Sequence, residues 1–221
     1  MCKTVQEEAS VTKRGNPRKP QGEAGAEMLS RMNRSHAEVT AWGISFLELK
    51  PDDTVLDIGC GGGAARARMA ETVTEGHLTG IDYSPVSVQS ASACNRETIA
   101  AGQMEILEGS VEALPFADGS FDKIITVESF YFWPSPAENL REVLRVLKPG
   151  GRFLIVADIY GRDDLPQHTL DTIEEYGLYN PEPETFRQLL TDAGFDSAEI
   201  HLKDGTTWIC AEGRKRSGKT G

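Results

Sequence analysis

The sequence predicts an α/β protein with a doubly wound, mostly parallel sheet of seven strands, an antiparallel hairpin at one edge and an N-terminal helical cap. Five short runs rich in aliphatic and β-branched residues alternate with helix-like stretches, which is typical of a parallel sheet with helices on both faces. A glycine-rich turn follows the first run, where the strand must pass sharply into a helix. Two final runs flank the Lys-Asp-Gly sequence at 203–205, which favours a hairpin turn.

The elements before the sheet are of two kinds. Residues 1–24 are polar and rich in glycine and proline, so we expect a flexible arm there. Apolar residues at helical spacing predict a helical cap over residues 25–49. The main domain follows at 50–213, and the basic tail, residues 214–221, is expected to be a solvated chain end.

Strands and helices of the main domain are marked by local signals. Ser84 and Pro85 supply an N-cap and a first-turn proline, and Pro136 opens a later helix. Gly194 ends the helix before the final hairpin. The polar and aromatic segment 158–183 is a candidate substrate lid. The predicted strands are 54–58, 77–81, 104–107, 123–127, 153–157, 197–202 and 207–211.

Bulk composition limits the classes of partner. The chain has 221 residues, 39% hydrophobic and 26% charged, which favours one folded domain. A formal net charge of −11 disfavours nucleic acid. We recognise no membrane span and no secretory signal, and the four cysteines lack metal-type pairing and are predicted to be free thiols. We therefore expect a cytoplasmic monomer or homodimer without membrane or nucleic-acid partners.

The glycine-rich turn is the most informative segment. Residues 59–63, Gly-Cys-Gly-Gly-Gly, let a ligand approach the backbone, and the helix that follows offers free N–H groups. The next strand ends in Asp82, 19 residues after Gly63, where a carboxylate is expected to accept hydrogen bonds from ribose hydroxyls. A nucleoside cofactor is the natural interpretation, although such a turn also occurs as a plain connection.

NAD shares this geometry, because Gly59, Gly61 and Ala64 satisfy a loose dinucleotide pattern. Asp57 separates the two cofactors. It lies two residues before Gly59, where a carboxylate would repel a pyrophosphate but can orient a cationic amino-acid group such as that of a methionine portion. An NAD-dependent oxidoreductase therefore stays as a remote alternative.

Several motifs in fixed order then give a specific resemblance. They are Val-Leu-Asp-Ile-Gly-Cys-Gly-Gly-Gly at 55–63, Gly-Ile-Asp-Tyr-Ser at 80–84, Glu-Ala-Leu-Pro-Phe at 112–116, Phe-Asp at 121–122 and Leu-Lys-Pro-Gly-Gly-Arg at 147–152. With them the chain resembles the class I S-adenosylmethionine-dependent methyltransferases, notably the ubiquinone and menaquinone branch with its many small-molecule enzymes. The resemblance covers about Lys50 to Gly213 and implies the Rossmann-like fold of that class.

The resemblance implies where the cofactor binds. The glycine turn would line the methionine end, Asp82 would hold the ribose and Tyr83 the adenine face. Ser110 departs from the family pattern, which usually has Asp at that position to accept from the adenine amino group. The implied cofactor-binding residues are Asp57, Gly59, Cys60, Gly61, Asp82, Tyr83, Ser110, Val111 and Glu128.

The acceptor is expected beyond the carboxyl end of the fourth strand. Four consecutive aromatic residues lie there, and they either form an apolar acceptor pocket or only pack the crossover. The substrate candidates are Phe130, Tyr131, Trp133 and Tyr160, and the catalytic candidates are Glu128, His36 and Tyr131.

Together these features predict in-line transfer of a methyl group from S-adenosylmethionine to a small-molecule acceptor, with S-adenosylhomocysteine as product. Alignment can supply most of the acceleration, so a general base is optional. A non-catalytic sensor or partner protein that binds S-adenosylmethionine is the alternative from another class. We identify no set of metal ligands in the sequence.

Overall fold

The computed structural model describes residues 5–218, with side chains described from Ser10 onward. Its α-helices are α1 (Val5–Gly15), α2 (Gly22–Ser35), α3 (Ala37–Ile44), α4 (Ala64–Met69), α5 (Pro85–Cys94), α6 (Arg96–Ala100), α7 (Pro136–Val146), α8 (Gln167–Tyr176) and α9 (Pro183–Ala193). Its strands are β1 (Thr54–Ile58), β2 (His77–Asp82), β3 (Met104–Glu108), β4 (Phe121–Val127), β5 (Leu147–Ala157), β6 (Ser197–Leu202) and β7 (Ile209–Arg214).

The seven strands form one sheet in the order β3-β2-β1-β4-β5-β7-β6. The first five run parallel, and β7 pairs antiparallel with both β5 and β6. The predicted fold class and the antiparallel edge hairpin are therefore confirmed. The chain turns outward in opposite directions from β1 and β4, so the switch point that binds ligands in such sheets lies at their carboxyl ends.

Burial on both sheet faces holds this topology together. Central strands are almost wholly buried, and two apolar clusters lie on the two faces, one centred on Phe153 and Leu140 and the other on Leu154 and Met69. The predicted cap of α5 is confirmed, because Ser84 Oγ accepts from Ser87 N and Pro85 opens the helix.

Part of the expected flexible arm, residues 1–24, is helical in the structure. Residues 5–15 form α1, and Val11 on this helix is buried. Composition alone was misleading because this helix gains its buried face from neighbours: Arg31 on α2 donates to Thr12 Oγ1, and Lys13 pairs with Glu175 on α8 at 2.8 Å. Residues 1–4 lie outside the described part of the chain.

Residues 16–21 connect α1 to α2, and we call this segment the strap. It crosses the carboxyl edge of the sheet, where Ser84 Oγ donates to Pro20 O at 2.7 Å. Helices α2 and α3 then form the predicted cap. The strap is thus anchored to the main domain by hydrogen bonds to its backbone carbonyls.

At the other end, the basic tail is partly bonded instead of fully solvated. Arg214 is the last residue of β7, and Lys215 Nζ donates to the carbonyls of Leu144 and Leu147, both at 2.7 Å. Lysine at this place satisfies free carbonyls at the end of α7, which explains its order. In residues 5–218, no helix is long and apolar enough to cross a membrane.

Candidate functional site

A cavity of about 340 Å³ opens at the carboxyl ends of β1, β2 and β4, at the switch point of the sheet. The glycine turn forms its floor, and the inner face of α2 and the strap cover it. The loop after β3 forms one end, and the loop after β4 forms the other. This is the position expected for a nucleoside cofactor in an open α/β sheet.

The glycine turn is shaped by close contacts that exclude side chains. Gly59 has φ of +72°, and a Cβ there would lie 1.9 Å from Ser129 Oγ. Gly62 packs against Asn33 of α2, whose Nδ2 donates to Gly62 O at 3.0 Å. From the sequence, glycines are expected here because a ligand must approach the backbone. The structure shows that neighbouring side chains require them as well.

Asp57 lies under this turn in a buried ion pair. Its Oδ2 accepts from Arg66 Nη1 at 2.6 Å, and both side chains are almost fully buried. Burial raises the pKa of Asp57 to about 6, and the charge of Arg66 opposes that rise. Asp57 also lines the cavity, as its predicted role requires.

Asp82 is oriented by backbone donors. Its Oδ2 accepts from Gly61 N at 3.0 Å and its Oδ1 from Ser84 N at 2.9 Å. Burial raises the pKa of Asp82, and the two N–H groups oppose that rise by favouring the carboxylate. The carboxylate therefore faces the cavity in a fixed orientation.

At the adenine end, the predicted residues do come together. Tyr83 is partly exposed, and its hydroxyl donates to the carbonyl of Arg18 in the strap. Ser110 Oγ donates to Glu112 Oε2 at 3.0 Å, and both residues line the cavity beside buried Val111. Glu112 thus places a carboxylate near the position where Ser110 departs from the family pattern.

The electrostatics of the cavity distinguish between cofactors. Four carboxylates line it, and of the described lining residues only Arg18 carries a permanent positive charge. The lining carboxylates are Asp57, Asp82, Glu112 and Glu128. A cationic ligand is favoured in such surroundings and a pyrophosphate is repelled.

Glu128 anchors a hydrogen-bonded cluster at the opposite end of the cavity. It has φ of +53°; its Oε2 accepts from Tyr131 Oη at 2.8 Å and its Oε1 from Asp158 N at 2.5 Å. Burial, together with the charge of Asp158, raises the pKa of Glu128 well above its usual range. Glu128 is therefore less acidic than an ordinary glutamate, and both of its carboxyl oxygens already accept hydrogen bonds from the protein.

His36 completes this cluster from the junction of α2 and α3. It lines the cavity, and its Nε2 lies 4.0 Å from Asp158 Oδ2. Burial lowers the pKa of His36, although Asp158 opposes the shift. A neutral imidazole beside a carboxylate is a competent proton acceptor. The three catalytic candidates from the sequence thus lie together, around a carboxylate that the sequence reasoning missed.

The four substrate candidates differ in where they lie relative to the cavity. Phe130 is buried in the core against Phe186 and is not among the residues that line the cavity, so its contact with the acceptor stays a prediction. Tyr160 likewise belongs to the core, under Arg162. Tyr131 reaches the site only through Glu128. Trp133 lines the cavity and also packs on Phe153 of the core.

Several functional residues were missed in the sequence. Phe132 lines the cavity beneath Arg18, whose guanidinium carbon lies 5.5 Å from the ring centre. Asp158 gave one usable signal, because it directly follows a parallel strand and so lies at the ligand edge of the sheet. Asn33 and Arg66 gave none, since their contacts depend on how helices pack across the turn.

Two clusters have ligand atoms close enough to hold a metal ion, within 4.8 Å of one another. They are His36 with Glu128 and Asp158, and Glu199 with His201 and Glu212. In the first, both Glu128 oxygens already accept protein hydrogen bonds. In the second, Glu212 is paired with Arg152 and Arg214. We therefore assign a metal to neither cluster.

The fold and the cavity define an α/β protein that holds a nucleoside with a cationic tail at the switch point of its sheet. Residues 56–155 match the family model described as a methyltransferase domain. With this segment, a little under half of its length, the chain is similar to the class I S-adenosylmethionine-dependent methyltransferases, and S-adenosylmethionine is its cofactor.

Individual proteins that are similar to this chain are also named as methyltransferases. Over 189 residues the chain is 25% identical to an uncharacterized methyltransferase, YdaC, of Bacillus subtilis, covering 83% of this chain and 95% of the relative. It is 38% identical over 135 residues to the 2-methyl-6-phytyl-1,4-hydroquinone methyltransferase of Synechocystis, covering 61% and 40%. Other curated relatives are also longer, and the chain spans between 35% and 65% of their length.

Among solved structures, the fold resembles a methyltransferase in complex with the Trm112 activator from Haloferax volcanii. The TM-score is 0.73 at 23% identity, over 85% of this chain and 93% of that one. At this level of identity the likeness establishes the fold alone.

Proposed function

We propose that this chain transfers the methyl group of S-adenosylmethionine to a small, largely apolar acceptor that carries a hydroxyl group. The observation that carries the proposal is the acid-lined cavity with His36 and Glu128 at one end of it. When bound, S-adenosylmethionine supplies a methyl group on a sulfonium, which an aligned nucleophile can displace in line.

The apolar character of the acceptor is supported by the lining of the cavity. Its covering helix contributes Leu29 and Met32, and the loop after β4 contributes Phe132, Trp133 and Pro134. The Synechocystis relative is named for a hydroquinone with a phytyl chain, an acceptor of this chemical type. Apolar walls bind such a molecule and exclude water from the methyl group.

The hydroxyl is inferred from the proton chemistry at His36. Methyl transfer to a hydroxyl forms an O–C bond, breaks the S–C bond and releases one proton, which a base must take. Neutral His36 accepts it at a ring nitrogen, and the Asp158 carboxylate, 4.0 Å from Nε2, then stabilises the imidazolium. Glu128 keeps Asp158 in place by accepting a hydrogen bond from its backbone N–H.

For the compartment, the oligomeric state and the partners, the proposal keeps the predictions made from the sequence. We propose a cytoplasmic enzyme that acts as a monomer or homodimer on its small acceptor without nucleic acid or membrane. Cys60, Cys94 and Cys210 are free thiols, which supports a reducing compartment.

The test has two stages. Calorimetry with S-adenosylmethionine checks cofactor binding, for which we expect micromolar affinity. Release of S-adenosylhomocysteine is then measured with a panel of lipophilic phenols, hydroquinones, alcohols, thiols and amines. We expect turnover with a hydroxyl compound and at least a hundredfold loss of kcat in His36→Asn. Turnover confined to thiols or amines, or unaffected by His36→Asn, would reject the hydroxyl acceptor.

A further inference from the structure

We propose that Arg66 is a positioning residue for the amino-acid portion of the cofactor, acting through Asp57 without reaching the cavity itself. The inference rests on the proposed function and assigns a role to a side chain outside the binding surface. It begins from one buried contact, the 2.6 Å ion pair between Arg66 Nη1 and Asp57 Oδ2.

Arg66 contacts Asp57 on the side that faces away from the cavity. Arg66 lies on the buried face of α4 and does not line the cavity, whereas Asp57 does. Within the described residues, Asp57 Oδ2 bonds to Arg66 and no hydrogen bond is made by Oδ1. One oxygen is therefore fixed by the guanidinium, and the other is left for a donor in the cavity, such as an aminium group.

The burial of Arg66 by itself destabilises the folded state. Its side chain is fully buried, and its Nε and Nη2 have no hydrogen-bond partner among the described residues. Buried donors without partners destabilise a fold, and an apolar residue at this position would avoid that cost. A fully buried arginine with two unused donors is better explained by what it does to Asp57.

The surroundings are adapted to the guanidinium. A Cβ at Gly80, in the middle of β2, would lie 2.6 Å from Arg66 Cζ, so only glycine leaves room for the group. The other ionisable neighbours of Asp57 are Asp82 and Cys60, and burial keeps the Cys60 thiol neutral by raising its pKa. Arg66 is thus the cation that keeps Asp57 ionised against burial and against Asp82.

Three ligands test the proposal by calorimetry at pH 7.5. S-adenosylmethionine and S-adenosylhomocysteine both carry the amino-acid portion, whereas methylthioadenosine lacks it. We expect Arg66→Met to weaken the first two at least tenfold and to change the third less than twofold. Arg66→Lys restores most of the loss. The matched control is Arg68→Met, an exposed arginine on the same helix, which leaves all three affinities unchanged.

A double-mutant cycle tests whether Arg66 acts through Asp57. In the Asp57→Asn background we expect Arg66→Met to weaken binding less than twofold further. The affinity of Arg66→Met for S-adenosylmethionine should also keep rising up to about pH 8.5, because an unpaired buried carboxyl ionises later. Wild type should reach its plateau near pH 7.

Several outcomes would overturn the inference. They are an equal loss for all three ligands in Arg66→Met, an unchanged affinity in that variant, or losses that add in the double variant. If Arg66→Met does not fold, the charge-free double variant is compared with Asp57→Asn alone, since removing both buried charges is tolerated better than removing one. A further loss of more than twofold between these two variants would then overturn the inference. Failure of wild type to bind S-adenosylmethionine would instead reject the proposed function.

Discussion

The carboxylates of the cavity are prepared for a cation in different ways. Asp82 is held by two backbone N–H groups, Asp57 by a buried arginine, and Glu128 by Tyr131 and the backbone N–H of Asp158. Each arrangement fixes an oxygen before a ligand binds, which lowers the cost of ordering on binding. Because burial raises the pKa of all three groups, binding should depend on pH.

Asp57 sets the clearest pH dependence. Its folded-state pKa of about 6 lies above the usual 3.8, so protonation favours the folded protein and opposes binding of a cation. We expect full affinity for S-adenosylmethionine above pH 7 and a fall as pH drops through 6, by up to about tenfold per pH unit for one proton. Calorimetry from pH 5 to 8 measures this, and Asp57→Asn should flatten the profile. A profile of unchanged shape in that variant would assign the titration elsewhere.

Gly59 offers a second test at the level of one residue. Alanine there combines a positive φ with a Cβ only 1.9 Å from Ser129 Oγ, so we expect the glycine turn to shift and cofactor binding to be lost. Gly102→Ala is the matched control, because its φ is +77° but nothing lies near its Cβ. That variant should lose about 1 kcal/mol of unfolding free energy through strain alone and bind normally. Normal binding by Gly59→Ala would show that the turn tolerates a side chain.

Among the larger elements, the strap links the two ends of the cavity. Tyr83 bonds its backbone at the adenine end, while the Arg18 guanidinium reaches the carbonyl of Gly177, just after α8, at 3.3 Å. Pro17, Arg18 and Pro20 all line the cavity. A ligand inside therefore lies beside the strap, and we expect the strap to slow its release.

Removing one strap anchor should thus speed release. We expect Tyr83→Phe to raise the dissociation rate of S-adenosylmethionine about fivefold, since one hydrogen bond contributes about 1 kcal/mol. Stopped-flow fluorescence or surface plasmon resonance gives the rate. Tyr179→Phe is the control, because that partly exposed tyrosine does not line the cavity. Equal rates in wild type and Tyr83→Phe would mean that the strap does not hold the ligand.

Elements with a local sequence pattern could be predicted, whereas an element that depends on tertiary contacts could not. The runs that predicted β1 and β2 are buried strands whose patterns are local, and they fall within a residue of the observed bounds. Helix α1 was missed because its stability comes from α2 and α8, which lie far along the chain. Tertiary contacts of this kind leave no local pattern.

On the scale of the whole molecule, the topology explains why distant residues form one site. His36, Glu128 and Asp158 come from the cap and from the ends of two neighbouring strands, and the strand order is what brings the three side chains together. The cofactor end was predictable because its motif is continuous from strand to turn. The acceptor end was predicted only in part, since the orientation of successive aromatic residues depends on how the turn packs.

The charge of the cavity yields a prediction for the stability of the whole protein. A ligand that binds only the folded state raises the free energy of unfolding by about 2.7 kcal/mol at one hundred times its Kd. For a chain of this size that corresponds to a rise in Tm of roughly 5–10 °C. We expect S-adenosylmethionine to produce this rise in Tm in differential scanning fluorimetry.

NADH at the same concentration should leave Tm unchanged, because its pyrophosphate would face Asp57 and Asp82. Asp82→Asn, which keeps the shape of the side chain but removes its charge, should reduce the shift with S-adenosylmethionine by weakening the ribose contact. A comparable rise in Tm with NADH would contradict the electrostatic argument for a cationic cofactor, whatever the fold.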